Sequence, residues 1–253
     1  MNINELKKLW LSEEKSAHIH GWDFSHLDGR FNGNEDDLPW DYKQLVLDHI
    51  SPDMRLLDID TGGGEFLLSL GHPYSMTSAT EGFPPNVELC RKKLTPLGID
   101  FHEWHEGMKM PFSDDSFDII INRHGSCDIP EIWRILKKGG IFITQQVGGE
   151  NDRELAEMLC PDRKYQYSDH CLENELRKFI TQGFTIADSG ECFRPIEFYD
   201  TGALVWFARV IPWEFPDFSV ENNFEMLLTV QDIIETQGRI SGHTHRFMIT
   251  AIK

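Results

Sequence analysis

The chain has 253 residues, enough to bury one sizeable core, and its 40% apolar and 26% charged residues give an ordinary globular balance, too polar for a membrane protein. No apolar run approaches the roughly 18 residues of a membrane span. The N-terminal stretch MNINELKKLWLSEEKSAH is charged throughout, so no secretion signal is read there and a cytoplasmic location is expected. A formal net charge of -18 repels polyanions, and Lys and Arg are scattered, which disfavours nucleic acid as a partner.

The predicted elements alternate. Residues 55–59 read as a first strand, 77–81 as a second, 99–103 as a third, 117–122 as a fourth and 140–147 as a fifth. Helical patterns fall between them at 65–70, at 86–94 behind Pro84 and Pro85, and at 129–136, with Lys137-Lys138-Gly139-Gly140 read as a helix stop. Strands alternating with helices imply βαβ units and a parallel sheet. Helices are then predicted at 153–159 and 172–180, a sixth strand at 184–192, a helix at 220–236 inside an apolar insertion at 196–238, and a last strand at 245–252. The expected organisation is a single domain over 1–253, with an N-terminal helical segment at 1–50, a core at 51–150 and the insertion before the last strand. No internal repeat or low-complexity tract interrupts it.

Three features carry chemistry. The run Leu56-Leu57-Asp58-Ile59-Asp60-Thr61-Gly62-Gly63-Gly64-Glu65-Phe66 takes an apolar strand through three glycines into a helix. Glycine lets a ligand approach bare main chain and adopts positive φ at little cost. Glu81, followed by Gly82 and Phe83, ends the next strand about 20 residues later, where a carboxylate can accept from both hydroxyls of a ribose. An acidic helix cap is the plainer alternative. The five cysteines (Cys90, Cys127, Cys160, Cys171, Cys192) lie far apart and read as free thiols. His18, His20, His26, His243 and His245 lack a completing set of ligands, so no metal site is expected.

Together with Glu106-Gly107-Met108-Lys109-Met110-Pro111-Phe112-Ser113-Asp114-Asp115-Ser116-Phe117-Asp118 and Trp133-Arg134-Ile135-Leu136-Lys137-Lys138-Gly139-Gly140, these motifs resemble the successive motifs of class I S-adenosylmethionine-dependent methyltransferases. The resemblance covers roughly residues 50–150 and is nearest to the branch that methylates small molecules. It implies a Rossmann-like, seven-stranded, mostly parallel α/β sheet with an antiparallel last strand, helices on both faces, and helical additions at both ends. It also implies S-adenosylmethionine as cofactor and a small-molecule acceptor. Carried over, the Gly62 and Gly64 backbone lies against the methionine part, with Asp58 supporting the turn. Glu81, with Gly82, holds the ribose, Phe83 packs on the adenine, and Glu106 with Gly107 meets its edge. Asn122 and Arg123 sit beside the sulfonium. The family has glycine where this chain has Asp60, whose side chain either narrows the approach or pairs with the cofactor's amino group.

Methyl transfer from a sulfonium needs positioning more than proton transfer. Where the acceptor is a hydroxyl or an acidic carbon, His124 is the candidate general base, with a loop or capping role as the alternative. Asn122-Arg123-His124-Gly125 lacks the Asn/Asp-Pro-Pro-Tyr tetrad of enzymes acting on planar nitrogens. The aromatic and histidine-bearing N-terminus (His18, His20, Trp22, Phe24, His26) and the 196–238 insertion are candidates for a lid, or equally for packing on the sheet flanks. Two rival readings stay open. One is a nicotinamide-dependent oxidoreductase, which prefers a further glycine where Leu67 stands, and the other is a non-catalytic cofactor-binding protein in which Asp60 has eroded activity.

Overall fold

The computed structural model describes residues 2–18, 23–33, 38–162, 164 and 167–253; His20, Gly21, Trp22 and part of the polar stretch 161–170 lie outside the described residues. In chain order the elements are α1 (Ile3–Ser16), β1 (Phe31–Asn32), α2 (Tyr42–Leu47), β2 (Leu56–Ile59), α3 (Glu65–Ser69), β3 (Thr77–Glu81), α4 (Pro84–Lys93), β4 (Asp100–Glu103) and β5 (Phe117–Arg123). They continue with α5 (Ile129–Ile135), β6 (Leu136–Val147), α6 (Arg153–Leu159), α7 (Leu172–Gln182), β7 (Thr185–Phe198), α8 (Thr201–Val210), α9 (Phe224–Gln237) and β8 (Ile240–Ile252).

The strands join in the order β1-β7-β8-β6-β5-β2-β3-β4. The β2–β3, β3–β4, β2–β5 and β5–β6 pairs are parallel, and the last strand, β8, is antiparallel to β6. This is the expected mostly parallel α/β sheet, with eight strands instead of seven. The addition is β1, two residues paired antiparallel to β7, too short to leave a pattern in the sequence. Two readings shift further. Helix α5 stops at Ile135, and Lys137-Lys138-Gly139-Gly140 belongs to β6, where Gly139 takes φ 78° and the pairing with β5 changes register. The 196–238 insertion holds α8 as well as α9, because the apolar run of α8 is buried nearly all round and so shows no amphipathic stripe.

The chain divides into two compact units. Pro39–Gly148, Asp169–Cys192 and Arg246–Lys253 form the unit that carries the glycine turn. Its central strands β2, β5 and β6 carry apolar residues on both faces, as parallel strands covered by helices do. Leu56, Ala79, Ile119, Ile121 and Ile143 pack on one face with Tyr42 and Val46 of α2 and Cys90 of α4. Leu57, Ile120 and Phe142 pack on the other with Ile132 of α5 and Phe179 of α7. Neighbouring residues of a strand thus serve opposite cores, which is the period of two expected of a pleated backbone.

Met1–Leu38, Gly149–Ser168 and Phe193–His245 form the second unit. Its core gathers Trp10 of α1, Leu155 of α6, Trp206 and Phe207 of α8, and Leu227 and Val230 of α9. Arg30 ties it together, donating to Asp200 at 2.6 and 2.9 Å and to Glu13 at 2.9 Å. The guanidinium, with the backbone of Ala203 and Gly202, holds the Asp200 carboxyl below its ordinary range despite partial burial.

Leu57 has no exposed surface. Leu57→Ala is expected to lower unfolding free energy by about 2–5 kcal/mol, read as a shifted urea midpoint. An unchanged midpoint removes Leu57 from the core.

Candidate active site

The chain leaves β2 toward β3 and β4 on one side and returns to β5 on the other, so the strand order reverses between β2 and β5. Open α/β sheets bind ligands at such a switch point, outside the carboxyl ends of the strands. The residues singled out from the sequence gather there. Asp60 to Gly64 follow β2, Glu81 ends β3, Glu106 and Gly107 follow β4, and Asn122, Arg123 and His124 close β5.

The turn after β2 is held open by its backbone. Asp60, Gly62 and Gly64 have φ of 55°, 63° and 77°. Aspartate tolerates the left-handed region better than most side chains, which makes its presence at a glycine position possible. At Gly64 a Cβ would stand 2.8 Å from Leu94 Cδ2, so glycine is needed for packing; at Gly62 nothing lies within 4 Å, and the bare main chain faces open space.

Glu81 joins the loops after β2 and β3. Its Oε2 accepts from Gly62 N at 2.7 Å and its Oε1 from Gly82 N at 2.9 Å and Phe83 N at 2.8 Å. The carboxylate is almost fully buried, and three N–H donors leave it roughly one further acceptor site. Gly82 packs so closely that a Cβ there would meet Trp104 O at 2.6 Å. Beside it Phe83 is 61% exposed and Met108 is 58% exposed, two large apolar side chains in water at the strand ends. Trp104 Nε1 donates to Met108 O at 2.8 Å, which fixes the turn through Gly107, at φ 79°. Glu106 is exposed.

Asn122 is fully buried and committed to the protein. Its Nδ2 donates to Ile59 O at 3.0 Å, and its Oδ1 accepts from Gln146 Nε2 at 2.6 Å and Thr144 Oγ1 at 3.1 Å. Its side chain therefore braces β2, β5 and β6. The Arg123 guanidinium lies over the Phe66 ring, 5.1 Å from the centroid. Asp60 reaches from one loop to the other, accepting from Ser126 N at 2.7 Å. Gly125 makes room for it, since a Cβ there would stand 2.5 Å from Asp60 Cβ. Of the two roles the sequence leaves for Asp60, this bond adds a third, a tie between the turns after β2 and β5.

The electrostatics are uneven. Burial pushes the Asp58 carboxyl up to about 7, against a hydrogen bond from Thr61 Oγ1 at 2.6 Å, with Asp60 and Glu81 adding repulsion. Burial pushes Asp60 up to about 6, partly offset by the Ser126 N–H, with Glu81 and Glu106 raising it further. Four carboxylates thus act on one another around a turn of bare backbone. A neighbouring pocket of about 560 Å³ is lined by Glu106, Cys127, Asp128 and, from α7, Arg177 and Lys178. The Cys127 thiol, pushed up to about 12 by burial, is no nucleophile. Among the described residues no group of three or more His, Cys, Asp or Glu is placed to hold a metal, and no helix is long and apolar enough to cross a membrane.

The sequence did not single out Met108 as a site residue, nor Thr61, Gly125 and Ser126. Met108 sits next to the named Glu106 and Gly107, but its exposure comes from the Trp104 bond. The other three are placed by contacts with Asp58 and Asp60.

Comparison with known proteins adds to this geometry. Residues 57–144 match the family model for a methyltransferase domain. A phthiotriol/phenolphthiotriol dimycocerosates methyltransferase of Mycobacterium tuberculosis is 32% identical over 88 residues, 32% of this chain and 32% of that protein. A demethylmenaquinone methyltransferase of Lactiplantibacillus plantarum is 23% identical over 117 residues, 41% of this chain and 49% of that protein. The chain thus spans between a third and a half of the length of these relatives. Among solved structures, a Bacillus halodurans C-125 protein assigned as a methyltransferase aligns with TM-score 0.57 at 17% identity, over 84% of this chain and 98% of that one. The [4+2]-cyclase SpnF aligns with TM-score 0.52 at 17% identity, over 98% of this chain and 92% of that one. In its matched core and its fold the chain is similar to class I S-adenosylmethionine-dependent methyltransferases.

Proposed function

We propose that this chain binds S-adenosylmethionine across the ends of β2, β3 and β4 and transfers its methyl group to a small-molecule acceptor. The observation that carries the reading is the gathering of Asp58, Asp60, Glu81 and Glu106 around a glycine turn, with Asp58 and Asp60 raised by burial and by neighbouring carboxylates. A buried like-charge cluster calls for a cationic ligand. S-adenosylmethionine brings a sulfonium and an ammonium; a nicotinamide dinucleotide brings a diphosphate, which these carboxylates repel. The residues present fit the nucleoside as well. Gly62 offers bare main chain with open space above it, Glu81 a near-saturated carboxylate for hydroxyls, and Phe83 and Met108 two exposed apolar surfaces for a flat ring.

When bound, the cofactor supplies a methyl group on a positive sulfur, which departs by in-line displacement. The protein's part is to orient and to keep water away. Asn122 holds the floor of the switch point through its bonds to Ile59, Thr144 and Gln146. Asp60, through Ser126, fixes the loop that follows β5. The acceptor is a small molecule on two supports: a net charge of -18 that opposes polyanions, and the relatives' own names.

Isothermal titration with S-adenosylhomocysteine and with NAD decides the cofactor. The demethylated cofactor is expected to bind, and binding of NAD alone overturns the reading. Glu81→Ala is expected to weaken the titrated affinity by roughly 1–3 kcal/mol, the cost of unpaired polar groups. Gly62→Ala is expected to weaken it while lowering stability by only about 1–2 kcal/mol, the strain of a left-handed alanine. Intact affinity in both variants removes the turn from the site.

A second prediction concerns pH. A carboxyl raised on folding binds its proton more tightly in the native state, so the native state loses stability as pH climbs from 3.8, and the loss levels off above about 7 for Asp58. Asp58→Asn keeps an acceptor for Thr61 and is expected to flatten that decline in urea titrations. An unchanged slope assigns it to other groups.

A further inference from the structure

Three side chains of the glycine-turn unit form a line that ends at His124. Trp40 Nε1 donates to Gln145 Oε1 at 2.8 Å, and Gln145 Nε2 lies 3.1 Å from His124 Nε2. The polarity of this line follows from the chemistry of its first member. An indole nitrogen only donates, so the amide oxygen of Gln145 stands on the Trp40 side and its NH2 on the His124 side. An amide NH2 also only donates, so His124 Nε2 must accept and carries no proton. The proton of a neutral ring is then on Nδ1.

The backbone keeps the ring in this register. His124 N donates to Gln145 O at 2.8 Å, extending the β5–β6 pairing one residue past Arg123 and Gln145, and His124 itself takes φ 61°. Trp40 also lies against Gly190, where a Cβ would stand 3.3 Å from the indole, so the ring's seat depends on a glycine there.

We infer that Trp40 and Gln145 are positioning residues that hold His124 as the neutral Nδ1–H imidazole, with Nε2 closed to a substrate. The tautomer stands on hydrogen-bond polarity alone; its catalytic consequence rests on the methyl-transfer reading. The ring proton of His124 sits on Nδ1. General-base action at Nε2 first requires breaking the Gln145 bond.

The test is nitrogen NMR of the full chain labelled at histidine, at about pH 8, above the ordinary imidazole value of ~6.5, with His124→Asn used to assign the ring signals. The expected result is one dominant form, with Nε2 unprotonated and Nδ1 protonated. Trp40→Phe frees the amide to turn over and is expected to give a mixture of the two tautomers. Gln145→Glu places an acceptor against Nε2 and is expected to move the proton there, a result a merely structural pair does not give. This second variant decides the matter should Trp40→Phe fail to fold. An Nε2–H ring in the parent protein, or a tautomer unmoved by Gln145→Glu, overturns the inference. Titration with S-adenosylhomocysteine is a separate readout, so failure of the cofactor reading and failure of the tautomer are told apart.

Discussion

The site depends on one buried carboxylate that substitutes for missing backbone pairing. The ends of β2 and β3 diverge where the sheet stops, and the N–H groups of Gly62, Gly82 and Phe83 are left without strand partners. Glu81 takes all three. Charge-assisted bonds of this kind are about twice as strong as neutral ones. The same contact holds Gly62 near its left-handed conformation and presents Phe83 at the rim, where it is mostly exposed. Remove the carboxylate and three backbone donors lose their acceptor at once.

Around that anchor the protein accepts an electrostatic penalty. Asp58 is buried and Asp60 partly so, and both are raised because burial and repulsion from neighbouring carboxylates disfavour their charges. A fold selected for stability alone has no use for this arrangement, since uncharged residues of the same size avoid it. Strain of this sort persists at ligand sites, where the ligand supplies what the free protein lacks. Asp60 is the sharpest instance. It combines an unfavourable charge with an uncommon φ, and it fits only because residue 125 is a glycine.

The parallel core was legible because its physics is local. Short apolar runs ending in loops announce the central strands, and Pro84 and Pro85 mark the start of α4. The choice of Gly62 and Glu81 followed from strand, turn and spacing, and that of Phe83 from the family resemblance. What the sequence withheld is set by distant contacts. The two residues of β1 have no period to detect, and α8 is buried too completely to show a stripe. Asn122 reads as a polar residue beside a ligand, yet its side chain is absorbed by Ile59, Thr144 and Gln146, up to 63 positions away. The partner that orients Gln145 beside His124 is 105 residues distant, beyond the reach of any motif.

Fold by itself does not choose the reaction here. Chains of similar fold include one named a methyltransferase and one named a [4+2]-cyclase, at equally low identity. What narrows the chemistry is the sign of the charge at the switch point and the direction of the hydrogen bonds that cross it. Carboxylates that raise one another favour a cation over a diphosphate, whatever the scaffold. The Trp40–Gln145 pair decides which nitrogen of His124 can give a proton, independent of the ligand's identity. Both properties sit on β-strand ends braced by Asn122 and Glu81, so the rigid core fixes them before any ligand arrives, and a site whose dipoles are already set spends little on reorganisation when charge moves.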